Sequence, residues 1–434
     1  MRTRIDPDRA STLKITRIET INVAEFPAVT WVQVYTDAGH VGLGETWFGP
    51  RSVVGAIHEI FSPILIGKNP LDIERHWRDM FDMANAFGYA GAETRALSAL
   101  DIALWDIAGQ EAKQPIYNLL GGACRDRIRV YNTCAQYGAN RDMEMAFFDP
   151  GGLARSLLDE GISIMKWAFT DHFADLSRGV FLSEQDLELM QEPIRQIRKA
   201  VGNQMAIAND GHGRWNLQNA IRIGRAMDQY GMFWQEELIQ PTNVENHLAL
   251  AREVEAPICV SERLVTKYQF RDYLRAGAAE VVMPDLIWTG GITETKKIAV
   301  MAEAEQAPVA PHDCTGPVNV FACAHICMNA PNVMVMETVR AFYGKSGYYG
   351  RFIEPNIVVR DGFLLAPEGP GLGTRLKKDV RERSDATVES SDSPGGDHWG
   401  GLHSPFEVVD SGGKRLVRLK SGSNPGRSRR GKKA

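Results

Sequence analysis

Three acidic residues in this chain each close a short apolar run: Asp210 in MAIAND, Glu236 in MFWQEE and Glu262 in APICVSE. Three carboxylates converging on one point repel one another, and a divalent cation is the usual remedy. Their oxygens are hard ligands that suit Mg2+, with Mn2+ close behind, better than zinc. The six cysteines (Cys124, Cys134, Cys259, Cys314, Cys323 and Cys327) include no CxxC pair to compete for the metal. Glu236 and Glu237 are neighbours and cannot both point inward from an extended strand. Alternation does not settle which one does; Glu236 is favoured.

Two further groups follow, Asp285 and His312. A carboxylate beside an imidazole orients the ring and raises its basicity, which makes His312 a candidate general base. In IANDGHGRW, His212 lies two residues after Asp210. On an extended chain that spacing puts both side chains on one face, so His212 can act as a general acid in the same cavity. Glu337, closing VMVMET, is placed to hydrogen-bond a charged intermediate. Lys166 in MKWAF either adds positive charge near a bound carboxylate or extends its ammonium to the rim. Together these groups suit one class of reaction. A cation chelates an anionic substrate oxygen while a base removes a carbon-bound proton next to a carboxylate, and concentrated charge stabilises the resulting enediolate.

The elements that must position these groups are legible as texture. Residues 14 to 46 read as short strands, with DAGH a turn between alternating segments, and about Val53 to Leu120 reads as helical. ALSALDIALWDIAGQEA has apolar residues at helical spacing, and Gly121–Gly122 ends the helical stretch. Residues 1–128 are thus expected to form an α+β unit. From Arg129 onward eight short apolar runs alternate with helical stretches such as NAIRIGRAMDQYG, as in a parallel β/α barrel. By subtraction, Asp210, Glu236, Glu262, Asp285, His312 and Glu337 follow one another at intervals of about 23 to 27 residues, the length of one strand–helix unit. Barrel active sites lie at the C-terminal strand ends, where all six would fall. The barrel is expected over 129–345 and a further short-strand segment over 346–376. Residues 377–434 are expected to be a polar linker and basic tail, with FEVVDSGGKRLVRLKSG a possible hairpin within it.

Bulk composition narrows the function class. The chain has 434 residues, 44% of them hydrophobic and 24% charged, with a net charge of −5. No basic excess points to nucleic acid, and no apolar run reaches membrane-spanning length. The first residues, MRTRIDPDRASTLKITRIE, lack the apolar core of a signal peptide. Scattered cysteines fit reduced thiols and a cytoplasmic location.

The ordered series resembles the enolase superfamily, mandelate racemase subgroup, over about residues 14 to 376. The matches are ALSALDIALWDIAGQ with the later LLGG, Asp210-x-His212, EE at Glu236, SER at Glu262, PDL…TGG from Pro284, PH at His312 and the late Glu337. The resemblance implies an α/β fold, a modified (β/α)8 barrel closed by an N-terminal α+β capping domain, with 346–376 packing back on the cap. It implies Mg2+ held by Asp210, Glu236 and Glu262, a His312–Asp285 base dyad, and a capping loop at GETWFGP, Gly44 to Pro50, that touches substrate. It also implies a small-molecule carboxylate substrate and a homo-oligomer. Racemases of this kind carry Lys-x-Lys on the second strand; here the match is Lys166-Trp167-Ala168, so two-base racemisation through that pair is not expected. His212 instead resembles the acid-sugar dehydratases of the D-galactonate and D-mannonate type, in which the imidazole protonates the departing hydroxide. The usual EEP is broken at Leu238. The expectation is a hydro-lyase that forms a 2-keto-3-deoxy acid. The alternatives are a racemase, epimerase or cycloisomerase on the same scaffold, or an inactive binding scaffold.

Overall fold

The computed structural model describes residues 13–86, 88–394, 406–411 and 414–419. The N-terminal part begins with an antiparallel meander, β1 (Ile15–Val23), β2 (Val29–Thr36) and β3 (Val41–Trp47). The β2–β3 turn at DAGH uses Gly39 at φ +86°, a conformation that glycine adopts without a Cβ clash. The face of β3 is set by VGLG. A Cβ on Gly42 or Gly44 would overlap the carbonyl oxygens of Ala103 and Ala99, so the strand lies directly on the backbone of the helix Ala92–Ala112. That helix is buried on nearly all sides. It ends earlier than the sequence expectation: Lys113 turns left-handed just ahead of Pro115, and only a short helix, Ile116–Leu119, precedes Gly121–Gly122.

Two buried aspartates on the long helix tie the cap to the rest. Asp106 accepts backbone N–H groups from Leu43 in β3 and from Leu372 near the C-terminal end of the barrel unit, at 2.9 and 2.8 Å. Asp101 accepts the N–H of Thr293 in the helix Gly291–Ala304, at 3.0 Å. Backbone donors buried by packing need partners, and these side chains supply them.

The barrel strands are β4 (Arg127–Thr133), β5 (Ile164–Trp167), β6 (Ala206–Asp210), β7 (Trp234–Glu236), β8 (Ile258–Val260), β9 (Val281–Val282) and β10 (Met336–Thr338). They run parallel, and β10 pairs with β4 to close the ring. The seventh position, between β9 and β10, is filled by APVAPH through isolated parallel bridges, Val282–Val309, Asp285–His312 and Val309–Val333. Pro308 and Pro311 lack N–H donors, so this run cannot make a regular ladder. Long helices follow the first seven barrel positions. After β10 only the short helix Arg340–Tyr343 stands in that place among the described residues, and Phe363–Leu365 pairs antiparallel to the start of β4.

Residues 377 to 394 differ from the linker expected there. Ala386–Ser391 pairs antiparallel with β1 as the edge strand of the cap sheet. Its inward apolar residues are Ala386 and Val388, and the rest are polar, so the segment reads as linker in sequence although its backbone pairs along β1. Beyond Pro394 a second unit contains a hairpin of Phe406–Ser411 and Lys414–Leu419, in the place the sequence suggested. The remainder of the linker and the basic end, like residues 1–12, lie outside the described residues.

Candidate active site

Asp210 and Glu236 end β6 and β7 in register, so their carboxylates emerge side by side. Both turn to Lys166 on β5. Its Nζ lies 2.6 Å from Glu236 Oε1, 3.3 Å from Asp210 Oδ2 and 3.1 Å from Glu337 Oε1. The lysine is 1% exposed, so it does not extend to the rim. One ammonium cannot satisfy three buried carboxylates. Burial opposes ionisation of Asp210, but Lys166 and His212 outweigh it and hold its pKa below the usual carboxylate range. Glu236 goes the other way: burial, with the charge of Asp210 beside it, pushes its pKa well up. This is a pocket short of positive charge.

The choice between the adjacent glutamates is resolved by the backbone. β7 ends at Glu236, and Glu237 turns left-handed at φ +40°, away from the barrel axis. Its carboxylate is taken by Ser261 Oγ and Arg263. Glu262 follows β8, buried, with Oε2 unpartnered and Oε1 3.7 Å from Arg263. Asp210, Glu236 and Glu262 thus offer three hard oxygen donors, one of them orphaned in a buried place. That donor set and the shortage of positive charge fit a divalent cation. Among the described residues, though, the trio whose ligand atoms come within 4.8 Å of one another is His312, Cys314 and Glu337.

His312 closes the seventh barrel position. Its Nδ1 is 2.7 Å from Asp285 Oδ2, and Asp285 also accepts the N–H of Ile287 at 2.9 Å. The other ring nitrogen, Nε2, faces the interior, 3.3 Å from Cys314 Sγ and 3.8 Å from Glu337 Oε2. Burial disfavours the imidazolium, but the neighbouring Cys314, Glu337 and Asp285 outweigh it and hold the pKa well above the usual histidine value. Glu337 is itself fixed by Thr133 Oγ1 and by the N–H of Asp313.

The cap approaches this side. Trp288 lies 5.3 Å, ring to ring, from His312. Phe48 of the cap lies 5.9 Å from Trp288, and the Arg95 guanidinium is 4.3 Å from the Trp288 ring. Of the stretch Gly44–Pro50, residues up to Trp47 belong to β3; the turn proper is at Phe48 and Gly49, both at positive φ. Phe48 is 55% exposed and packs on Trp288, the neighbour of His312, so its side chain is free to meet a ligand there. Glu45 points instead to the backbone N–H groups of Val318 and Asn319 and to Trp31 Nε1. Burial raises its pKa to about 8.

His212 follows β6, the third barrel position, diametrically across an eight-strand ring from the seventh. Its Nδ1 is 2.7 Å from Asp171 Oδ2, and its Nε2 is 3.6 Å from Asp210 Oδ2. Asp210 foremost, then Asp171, raises its pKa to about 9. His212 and Arg263 line an open cleft of about 470 Å³ together with Gln240, Thr242 and Gln269.

The structure thus gathers Lys166, Asp210, Glu236 and Glu337 into one nest, with His312–Asp285 and His212 on opposite sides. Glu262 sits at its margin. Sequence reasoning missed Asp171, which carries no spacing signal, and the buried, unpartnered Asp313, whose pKa is pushed well up by burial and by Asp285. It also missed Cys314, two residues after His312; the extended-chain spacing expected for Asp210 and His212 does not hold, because β6 ends at Asp210 and His212 turns left-handed at φ +46°.

Residues 9–121 match the mandelate racemase / muconate lactonizing enzyme N-terminal domain, and residues 152–380 match the enolase C-terminal domain-like family. The chain belongs to the mandelate racemase subgroup of the enolase superfamily. It is 30% identical to arabinonate dehydratase of Saccharolobus solfataricus over 83% of this chain and 91% of the relative. It is also 30% identical to D-galactonate dehydratase of Xanthomonas oryzae over 86% and 94%. A crystal structure of an Agrobacterium tumefaciens enolase of this subgroup is 42% identical and superposes with a TM-score of 0.81, over 88% of this chain and 99% of that one. Like these superfamily relatives, the chain is an enzyme, and its fold is the capped (β/α)8 barrel of the superfamily.

Proposed function

We propose that this enzyme is a Mg2+-dependent dehydratase of a sugar acid. The observation that carries the reading is the pair of imidazoles across the barrel mouth, each anchored through Nδ1 by its own aspartate, with the carboxylate nest between them. Proton abstraction and leaving-group protonation need one base and one acid, and a dehydration uses both in a single turnover.

Asp210, Glu236 and Glu262 would hold the cation, which supplies Lewis-acid stabilisation of the charge that develops on the substrate carboxylate. His312 takes the C2 proton on Nε2, because Nδ1 is committed to Asp285. The C3–oxygen bond breaks as His212 delivers a proton, and the hydroxyl leaves as water. The enol then tautomerises to the 2-keto-3-deoxy acid. Without the cation, Asp210 and Asp171 both favour the imidazolium of His212; with Asp210 neutralised by the cation, Asp171 on Nδ1 still favours the protonated form in which an acid must start. His312 must start neutral. Positive charge in the nest lowers its pKa from the raised value set by Glu337 and its other neighbours. Lys166 is paired with three carboxylates and has no second lysine beside it, which disfavours a lysine-based racemase.

A panel of sugar acids with purified enzyme and Mg2+, read for 2-keto-3-deoxy product, tests this. Turnover of one or two stereoisomers that is lost with chelator is the expected result. A blank panel with Mg2+ shown to bind would overturn the dehydratase reading in favour of an epimerase or cycloisomerase.

A further inference from the structure

We propose that His312, Cys314 and Glu337 form a second metal site, one for a thiophilic divalent cation such as Zn2+. Its occupation would switch the enzyme off by taking the lone pair that serves as the base. The inhibitory half rests on the dehydratase reading; the binding half does not.

The three side chains already converge on one point. Cys314 Sγ to His312 Nε2 is 3.3 Å, His312 Nε2 to Glu337 Oε2 is 3.8 Å, and all three ligand atoms lie within 4.8 Å of one another. Tetrahedral Zn2+ at ordinary Zn–S, Zn–N and Zn–O lengths places its ligands about 3.3 to 3.6 Å apart. The His312–Glu337 pair would close by a few tenths of an ångström, and the Cys314–Glu337 pair, within 4.8 Å, by no more than about 1.5 Å. The outer contacts are those a zinc histidine needs. Nδ1 is held by Asp285, which fixes the ring with Nε2 inward and strengthens it as a donor. Glu337 is held by Asp313 N–H on Oε2 and by Lys166 on Oε1. Three protein ligands leave a fourth position open, and Cys314 is partly exposed, so a cation can enter from the mouth.

The two sites differ in chemistry. The Asp210, Glu236 and Glu262 oxygens favour Mg2+, whereas a thiol and an imidazole favour Zn2+ or Co2+. Binding here releases the Cys314 thiol proton to solvent, so affinity rises with pH. A bound Nε2 cannot accept the substrate proton.

The test uses the full chain saturated with Mg2+ and titrated with Co2+, whose thiolate complexes absorb in the near ultraviolet. The expected result is a thiolate–cobalt band that saturates at one Co2+ per chain and is displaced by one equivalent of Zn2+. Cys314→Ser and His312→Asn should each abolish the band, while Cys124→Ser, at an exposed thiol, should keep it. Zn2+ at one equivalent should cut turnover at least tenfold in the parent enzyme and less than twofold in Cys314→Ser, each relative to its own zinc-free rate. No band in the parent chain, or an undiminished band in Cys314→Ser, would overturn the site. A band without zinc inhibition would overturn the switch. The band needs no substrate, so the binding result stands apart from the sugar-acid panel; the inhibition result uses the substrate that the panel identifies.

Discussion

Asp171 is the residue through which the role of His212 can be tested without touching the histidine. Asp171→Asn keeps the size of the side chain and removes its charge. The Nδ1–Oδ2 contact is 2.7 Å, the length of a charge-assisted hydrogen bond, and Asp171 raises the His212 pKa second only to Asp210 among charged neighbours. Such a bond contributes about 1.5 to 3 kcal/mol when buried. The His212 side chain is 40% exposed, and screening at that exposure leaves roughly 1 kcal/mol, or about 0.7 of a pKa unit. A negative charge favours the imidazolium, so its removal lowers the pKa, from about 9 toward roughly 8.3. Histidine ring NMR, with His212→Asn to assign the signal, reads this directly. Linkage gives a second check. A raised folded-state pKa stabilises the fold fully below the unfolded value, roughly pH 6.5, and the gain is lost as pH rises through about 9. Asp171→Asn should therefore destabilise by about 1 kcal/mol at pH 6 and by clearly less at pH 10. An unchanged or higher His212 pKa, or a stability loss equal at both pH values, would refute the reasoning.

Three other outcomes follow from the same geometry. Lys166→Met leaves three buried carboxylates with no cation, a loss on the order of 3 to 5 kcal/mol, so its thermal midpoint should fall further in chelator than in millimolar Mg2+. Equal losses in both would separate Lys166 from the metal site. Glu236→Gln should weaken Mg2+ binding at least tenfold by calorimetry, whereas Glu237→Gln should leave it within twofold while costing about 1 to 3 kcal/mol of stability through Ser261 and Arg263. The reverse pattern would exchange their roles. Truncation after Asp385 removes Ala386–Ser391 and bares the β1 edge, so light scattering should show aggregation on mild heating. A truncated chain as soluble as the parent would show that the edge is protected otherwise.

The strand ends were legible in sequence because six of the eight short apolar runs lead into one ionisable residue, at nearly constant spacing. That pattern reports periodicity and says nothing of which contacts a side chain chooses. Glu236 and Glu237 are indistinguishable in sequence, and the left-handed turn at Glu237 separates them. Lys166 reads in sequence either as charge near a bound carboxylate or as an ammonium at the rim, but its charge is consumed by residues 44 to 171 positions away along the chain, by subtraction. Asp171 meets His212 from the first turn of a five-residue helix, Asp171–Asp175, that carries no motif. Ala386–Ser391 was missed because an edge strand with two small inward apolar residues looks like linker; its contribution is backbone pairing, which composition does not encode.

The assignment of base and acid is tested most directly by hydrogen exchange at C2 of the substrate in D2O. With the substrate identified by the panel, His212→Asn should exchange the C2 hydrogen for deuterium without releasing water, because His312 still removes and returns that proton. His312→Asn should neither exchange nor eliminate. If His312→Asn still exchanged C2, or if His212→Asn eliminated water at near the parent rate, the roles given to the two histidines would be contradicted.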